Sequence, residues 1–130
     1  MPEFTMQIIQ DELNLLGYSV KGTKIALLGL SYKPGVADDR ESPSYVLMKL
    51  IKEKQADLFI YDPHLPEKST VTNIEDTLKD CVCVVIATAH KEFLDPVLFS
   101  NIELLVDGRN CINKADISKS IVYRGIGISN

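Results

Sequence analysis

The apolar run Ile25-Ala26-Leu27-Leu28 and the segment from Gly29 to Pro43 behind it place a strand, a long loop and a helix start in direct succession. A short unbroken apolar run reads as a strand covered on both faces, as in a parallel sheet. Ser42-Pro43 reads as an N-cap followed by proline at the first helical position. The loop between them therefore leaves the carboxyl end of a strand and enters a helix. That is the edge at which open α/β sheets bind ligands. The loop carries Lys33 and Arg40, where backbone N–H groups at a helix start already favour anions. The pattern points to a phosphorylated ligand.

The rest of the chain repeats this alternation. Residues from about Thr5 to Leu16 carry Ile8, Ile9, Leu13 and Leu16 at helical spacing, and Gly17 is placed to close the helix. A strand is expected over Lys24–Leu30. A helix follows from Pro43 to about Lys54, with Val46, Leu47, Leu50 and Ile51 as its apolar stripe. Leu58–Tyr61 is a second strand, stopped at Asp62-Pro63. Ser69–Thr72 suits a short edge strand, and Asn73 caps a helix over Ile74–Lys79. Val82–Ala87 reads as a buried strand, with Cys81 and Cys83 on one face of it. A short helix near Phe93–Phe99 and strands at Leu104–Val106 and Ser120–Tyr123 complete the series. Connections too long for hairpins imply parallel pairing. The expected class is α/β: a three-layer, Rossmann-like open parallel sheet of about five strands, with helices on both faces.

At 130 residues the chain fits one domain with its own core. Its formal net charge of −4 argues against a nucleic-acid surface, so any anion site must be local. No apolar run reaches bilayer-spanning length and no signal-peptide pattern opens the sequence, which gives a cytoplasmic expectation and no membrane partner. The three cysteines, Cys81, Cys83 and Cys111, are not spaced for a redox pair or a chelate, and read as packed, reduced thiols. Met1-Pro2-Glu3-Phe4 resembles a cloning remnant and carries no weight in the fold argument.

Several residues past strand ends could carry chemistry. Arg109 follows Asp107-Gly108, where glycine lets the backbone turn tightly. Arg109 either pairs with a nearby aspartate or reaches the same carboxyl edge as Lys33. His64 and His90 also follow strand ends, but two histidines alone do not make a metal site, and no metal is expected. Tyr61-Asp62-Pro63 is similar to the acidic strand end that holds a ribose in dinucleotide-binding folds. The first turn, however, reads Gly29-Leu30-Ser31-Tyr32 instead of Gly-x-Gly-x-x-Gly, too bulky for backbone approach to a pyrophosphate.

Gly-Leu-Ser-Tyr-Lys-Pro at 29–34 and Asp-Asp-Arg-Glu-Ser-Pro at 38–43 resemble the opening of the C-terminal domain of the UDP-glucose/GDP-mannose dehydrogenases. The resemblance continues through Tyr61-Asp62-Pro63, Ala87-Thr88-Ala89-His90, Val106-Asp107-Gly108-Arg109-Asn110 and Tyr123-Arg124-Gly125-Ile126-Gly127. It divides the chain into residues 1–19, the end of an inter-domain helix, and residues 20–130, a UDP- or GDP-sugar-binding C-terminal domain. It implies that Tyr32, Lys33 and Arg109 bind the sugar nucleotide, Arg109 in many members from across a subunit interface. It places Arg40 near the NAD cofactor, which an N-terminal domain holds for the most part. Asp38, Asp39 and Glu41 then steady the loop and the arginine.

Enzymes of this family oxidise the sugar C6 hydroxyl twice, through a cysteine thiohemiacetal and thioester, with NAD as oxidant. They are expected to work as homodimers or higher oligomers. The resemblance therefore implies a substrate-binding domain of an NAD-dependent nucleotide-sugar 6-dehydrogenase, inactive alone, since neither the glycine fingerprint nor the nucleophile's motif is present. Arg-Glu-Ser-Pro with Tyr-Asp-Pro-His leans toward a UDP-N-acetylhexosamine over UDP-glucose or GDP-mannose. Gly35 stands where asparagine or aspartate is frequent. The alternative is a stand-alone nucleotide-binding or regulatory α/β domain. A phospho-acceptor receiver needs acidic residues at the ends of its first and third strands, and these are lacking.

Overall fold

The computed structural model describes residues 2–31, 33–40 and 42–126. Its elements run α1 (Pro2–Leu16), β1 (Lys24–Leu28), α2 (Pro43–Glu53), β2 (Asp57–Tyr61), α3 (Ile74–Leu78), β3 (Cys83–Ile86), β4 (Leu104–Asp107) and β5 (Val122–Gly125). The strands form one all-parallel sheet in the order β2-β1-β3-β4-β5. The chain steps outward from β1 to β2, then returns to the other side of β1. The switch point of the sheet thus lies between β1 and β3.

Alternation along each strand divides the core in two. Ile25, Leu27, Cys83, Val85, Leu104 and Val106 face α1 and α2, where Ile9, Leu13, Leu47 and Ile51 meet them. Ala26, Leu28, Val84, Ile86 and Leu105 face the other way, onto Phe93, Phe99 and the α3 side chains Ile74 and Leu78. Local chemistry sets the helix ends. Ser42 accepts from the Ser44 amide at 3.3 Å, with Pro43 at the first helical position of α2. Asn73 accepts from the Asp76 amide at 2.8 Å to start α3. α1 closes with the Tyr18 amide on the Leu13 carbonyl and the Gly17 amide on Asn14, a Schellman pair.

The structure departs from the sequence expectations in several local details, among them the last strand, which runs Val122–Gly125 and not Ser120–Tyr123. β1 stops at Leu28: the Gly29 amide bonds the Tyr61 carbonyl at the end of β2, and the Leu30 amide turns to the Asp62 carboxylate just past it. Ser69–Thr72 forms no strand: Thr70 bonds Ile60 through its amide and hydroxyl, and the Ser69 hydroxyl bonds the Asp62 backbone. The helix expected near 93–99 is two 3-10 turns, Lys91–Phe93 and Pro96–Phe99. Pro96 supplies no amide, and Asp95 caps the second turn through Val97. The second face is covered by α3 and these 3-10 turns, so helical segments lie on both faces as expected. Cys81 and Cys83 do not share a face, since the ladder begins only at Cys83. Cys83 lies toward α1 and α2, and Cys81 lies in the opposite cluster. No helix among the described residues is long and apolar enough to cross a membrane.

Candidate functional site

The strand order sets up the site. Because β1 lies between β2 and β3, residues just past the ends of those two strands flank the loop that leaves β1. Asp62 follows β2 and His90 follows β3, and both are completely buried. Asp62 Oδ2 accepts from the Leu30 amide at 2.7 Å and from the Ser31 amide and hydroxyl, both at 3.0 Å. Its Oδ1 accepts from the His64 amide at 2.9 Å. His90 Nε2 lies 3.1 Å from Asp62 Oδ2. On the far side of the imidazole, Nδ1 accepts the Gly35 amide at 2.9 Å. Thr88 donates to the Ser31 carbonyl at 2.7 Å. Burial by itself raises the Asp62 pKa. The amides of Leu30, His64 and Ser31, with His90, outweigh it and hold the carboxyl below its usual range.

Gly29 is required here on two grounds. Its φ is +103°, and a Cβ would sit 2.5 Å from that of Thr88. The loop has a further tether at its helical end, where Asp39 takes hydrogen bonds from Lys68 and Tyr45. Asp39 is held below its ordinary pKa by Lys68 and then Tyr45. Asp38 is lowered likewise by its pairing with Arg40, whose Nε lies 3.1 Å away. Asp38 and Asp39 thus steady the loop and its arginine as expected, while Glu41, named with them, lies outside the described residues.

The outer face of the loop meets the end of β4. Lys33, Pro34, Pro43, Ala89 and Arg109 line a cleft of about 490 Å³. Lys33 and Arg109 are thus brought together within one chain, both exposed. Arg109 Nε donates to the Ala87 carbonyl at 2.8 Å, which aims the guanidinium along the carboxyl edge. The Arg109 turn rests on buried Asp107, which accepts from the Arg109 and Ile112 amides and, at 2.7 Å, from the Tyr123 hydroxyl. Burial and then Asp107 push the Tyr123 pKa up. Gly108 is needed for a reason other than the one its sequence position suggests. Asn110, with φ 53°, takes the left-handed position, and at Gly108 a Cβ would lie 2.7 Å from the Ile86 carbonyl oxygen. Tyr32 lies outside the described residues. Arg40 is described but does not line the Lys33–Arg109 cleft.

Two other chemistries fit poorly. His64, His90 and Glu92 bring three potential ligand atoms within 4.8 Å of one another. Both ring nitrogens of His90 are already engaged, so a cation there would dismantle the bonds to Asp62 and Gly35. The turn after β1 does not fit a dinucleotide pyrophosphate either. Its Leu30 and Ser31 amides are consumed by Asp62, and Thr88 fills the space above Gly29. Asp62 itself points inward, so it is not the exposed ribose-binding acid that its position at a strand end resembles. Asp62 and His90 are the residues whose roles sequence reasoning missed. Their signal was an acid and a base each following an apolar strand, which gains meaning only once those strands flank β1.

Comparison with known proteins bears on these cations. The UDP binding domain of the UDP-glucose/GDP-mannose dehydrogenase family matches residues 26–114. A UDP-N-acetyl-D-mannosamine dehydrogenase from Pyrococcus horikoshii is 30% identical over 133 residues, covering 98% of this chain and 31% of that protein. A UDP-glucose 6-dehydrogenase from Bacillus subtilis is 28% identical, covering 94% of this chain and 30% of its own length. The solved structure of the UDP-D-ManNAc dehydrogenase from Pyrococcus horikoshii superposes with a TM-score of 0.86 at 27% identity, over 97% of this chain and 30% of that one. The chain thus spans about a third of the length of these relatives. With its match covering most of the sheet and the whole β1–α2 loop, the chain belongs to the UDP-glucose/GDP-mannose dehydrogenase family, as its UDP binding domain.

Proposed function

We propose that the cleft between Lys33 and Arg109 binds the diphosphate of a UDP-sugar, and that this chain is the substrate-binding domain of a nucleotide-sugar 6-dehydrogenase. The observation that carries the reading is the convergence of these two exposed cations at the carboxyl edge, in a net-acidic chain of this family. The Lys33 ammonium is a compact charge for one phosphate, and the Arg109 guanidinium offers a planar fork to another. Tyr32 packs on the nucleoside or sugar. The substrate is a UDP-N-acetylhexosamine, a reading supported by the relative that acts on UDP-N-acetyl-D-mannosamine. The enzyme oxidises C6 of the sugar to a carboxylate with NAD. NAD is held by an N-terminal domain, toward which Arg40 faces.

The whole enzyme assembles as a homodimer or higher oligomer in the cytoplasm. The receiver-type alternative shares this strand order, so the sheet alone does not separate the two. The strand ends do: β1 is followed by Gly29-Leu30-Ser31 and β3 by Ala87-Thr88-Ala89, with no acidic acceptor on either. Calorimetric titration with UDP, GDP and uridine tests the proposal. UDP is expected to bind, uridine to bind far more weakly, and Lys33→Ala or Arg109→Ala to cost about 1.5–3 kcal/mol each, as for a hydrogen bond to a charged group. Equal binding of uridine and UDP would contradict a diphosphate site.

A further inference from the structure

We propose that His90 is a positioning residue for Lys33, acting through a fixed ring tautomer; this rests on the cleft reading above. The Gly35 amide donates to Nδ1, so that nitrogen carries a lone pair and no proton. The ring proton therefore sits on Nε2 and is donated to Asp62. A relay runs from the end of β2 through the imidazole to the backbone of the β1–α2 loop.

The loop is gripped at two points close together. Ser31 is held through its amide, hydroxyl and carbonyl by Asp62 and Thr88. Gly35 is held by His90. Only residues 32–34 span the interval, and Lys33 is the middle one. Anchoring both ends reduces the backbone freedom that an incoming ligand must otherwise freeze. The Phe93 ring lies edge-on to His90 with centroids 5.6 Å apart, and the His64 ring lies 4.4 Å away. These rings keep the imidazole in its plane and out of water. His90 itself touches no ligand. It sets where the Lys33 ammonium stands.

The experiment uses the intact chain and UDP as the probe. In the wild type, long-range nitrogen NMR is expected to show His90 as the Nε2–H tautomer, and the Gly35 amide to be protected from exchange although its residue is exposed. A protonated Nδ1, or a Gly35 amide exchanging at the rate of an open loop, overturns the proposal. His90→Phe is expected to weaken UDP binding roughly 5- to 30-fold, the equivalent of about one residue's backbone ordering. His90→Gln, whose amide offers both an acceptor and a donor, is expected to restore most of that loss. In a Lys33→Ala background the His90→Phe effect should nearly vanish. An equal, additive loss of affinity there would show that His90 does not act through Lys33 and would overturn the proposal. Should His90→Phe fail to fold, the tautomer, the Gly35 exchange rate and the His90→Gln affinity decide the matter. Should UDP not bind the wild type, the cleft reading fails, while the relay still stands or falls on the Gly35 amide.

Discussion

Removing the Asp62 carboxylate is expected to be among the costliest single changes at the carboxyl edge. In Asp62→Ala, five donors lose their acceptor: four buried ones, the Leu30 and Ser31 amides, the Ser31 hydroxyl and the His90 ring, and the part-buried His64 amide. A buried donor left unsatisfied costs about 1–3 kcal/mol. Water entering beside the exposed loop offsets part of the sum, so about 3–5 kcal/mol is expected, the range for breaking a buried pair. Against a total of about 5–15 kcal/mol, that takes the chain close to unfolding. Asp62→Asn keeps the shape and is milder. Its oxygen can remain where four donors converge, and its amide nitrogen then faces the His64 N–H, at a cost of about 1–3 kcal/mol.

Urea unfolding measures both variants. With a slope of about 1–3 kcal/mol per molar, Asp62→Asn should lower the midpoint by roughly 1 M at unchanged slope. The pH dependence has a definite sign. The native carboxyl titrates below its unfolded value of about 3.9, so its contribution is complete above that pH and is lost as pH falls through the native value. The deficit of Asp62→Asn relative to the wild type should therefore shrink below about pH 4. If Asp62→Ala costs under about 0.5 kcal/mol, or if the deficit is the same at pH 3 and pH 7, the account of the Asp62 site is wrong.

Ser42→Ala should destabilise by about 0.5–1 kcal/mol, since the cap bond at the start of α2 is long, and a urea midpoint indistinguishable from wild type would remove Ser42 as a cap. Gly29→Ala should cost about 2–5 kcal/mol, combining a left-handed φ with overlap on Thr88, whereas Gly22→Ala, with φ +80° and open space, should cost only about 1–2 kcal/mol. Thermal melts that rank the two equally would show that Thr88 gives way. Burial pushes Cys81 up to about 11, and burial with Asp107 pushes Cys111 up to about 12, while Cys83 is raised by complete burial. A disulfide reagent at pH 8 should therefore label the native chain slowly and the urea-unfolded chain fast, and rapid native labelling of Cys111 would contradict that environment.

The parallel α/β class was legible because apolar runs such as 25–28 and 82–87 alternate with helical stripes such as Leu47 and Ile51. The β1–α2 loop was legible because Ser42-Pro43 announces a helix start by local chemistry. What stayed hidden depends on tertiary neighbours. Phe93 to Phe99 has the apolar content of a helix, but Pro96 and the Asp95 cap divide it. Cys81 and Cys83 have the spacing of one face, yet the ladder begins between them. Asp62 and His90 are 28 residues apart, and nothing local says that they meet. Their pairing follows from β2 and β3 flanking β1, a strand order the sequence pattern does not state. Lys33 and Arg109 were legible as strand-end cations, and the fold brings them to one cleft.

Backbone amide NMR of this chain titrated with UDP reads out whether a nucleoside diphosphate sits between Lys33 and Arg109. Saturable shifts are expected to concentrate in residues 29–43 and 107–110, and to be reduced by both Lys33→Ala and Arg109→Ala. Shifts that cluster elsewhere, or that persist unchanged in both variants, would contradict that placement.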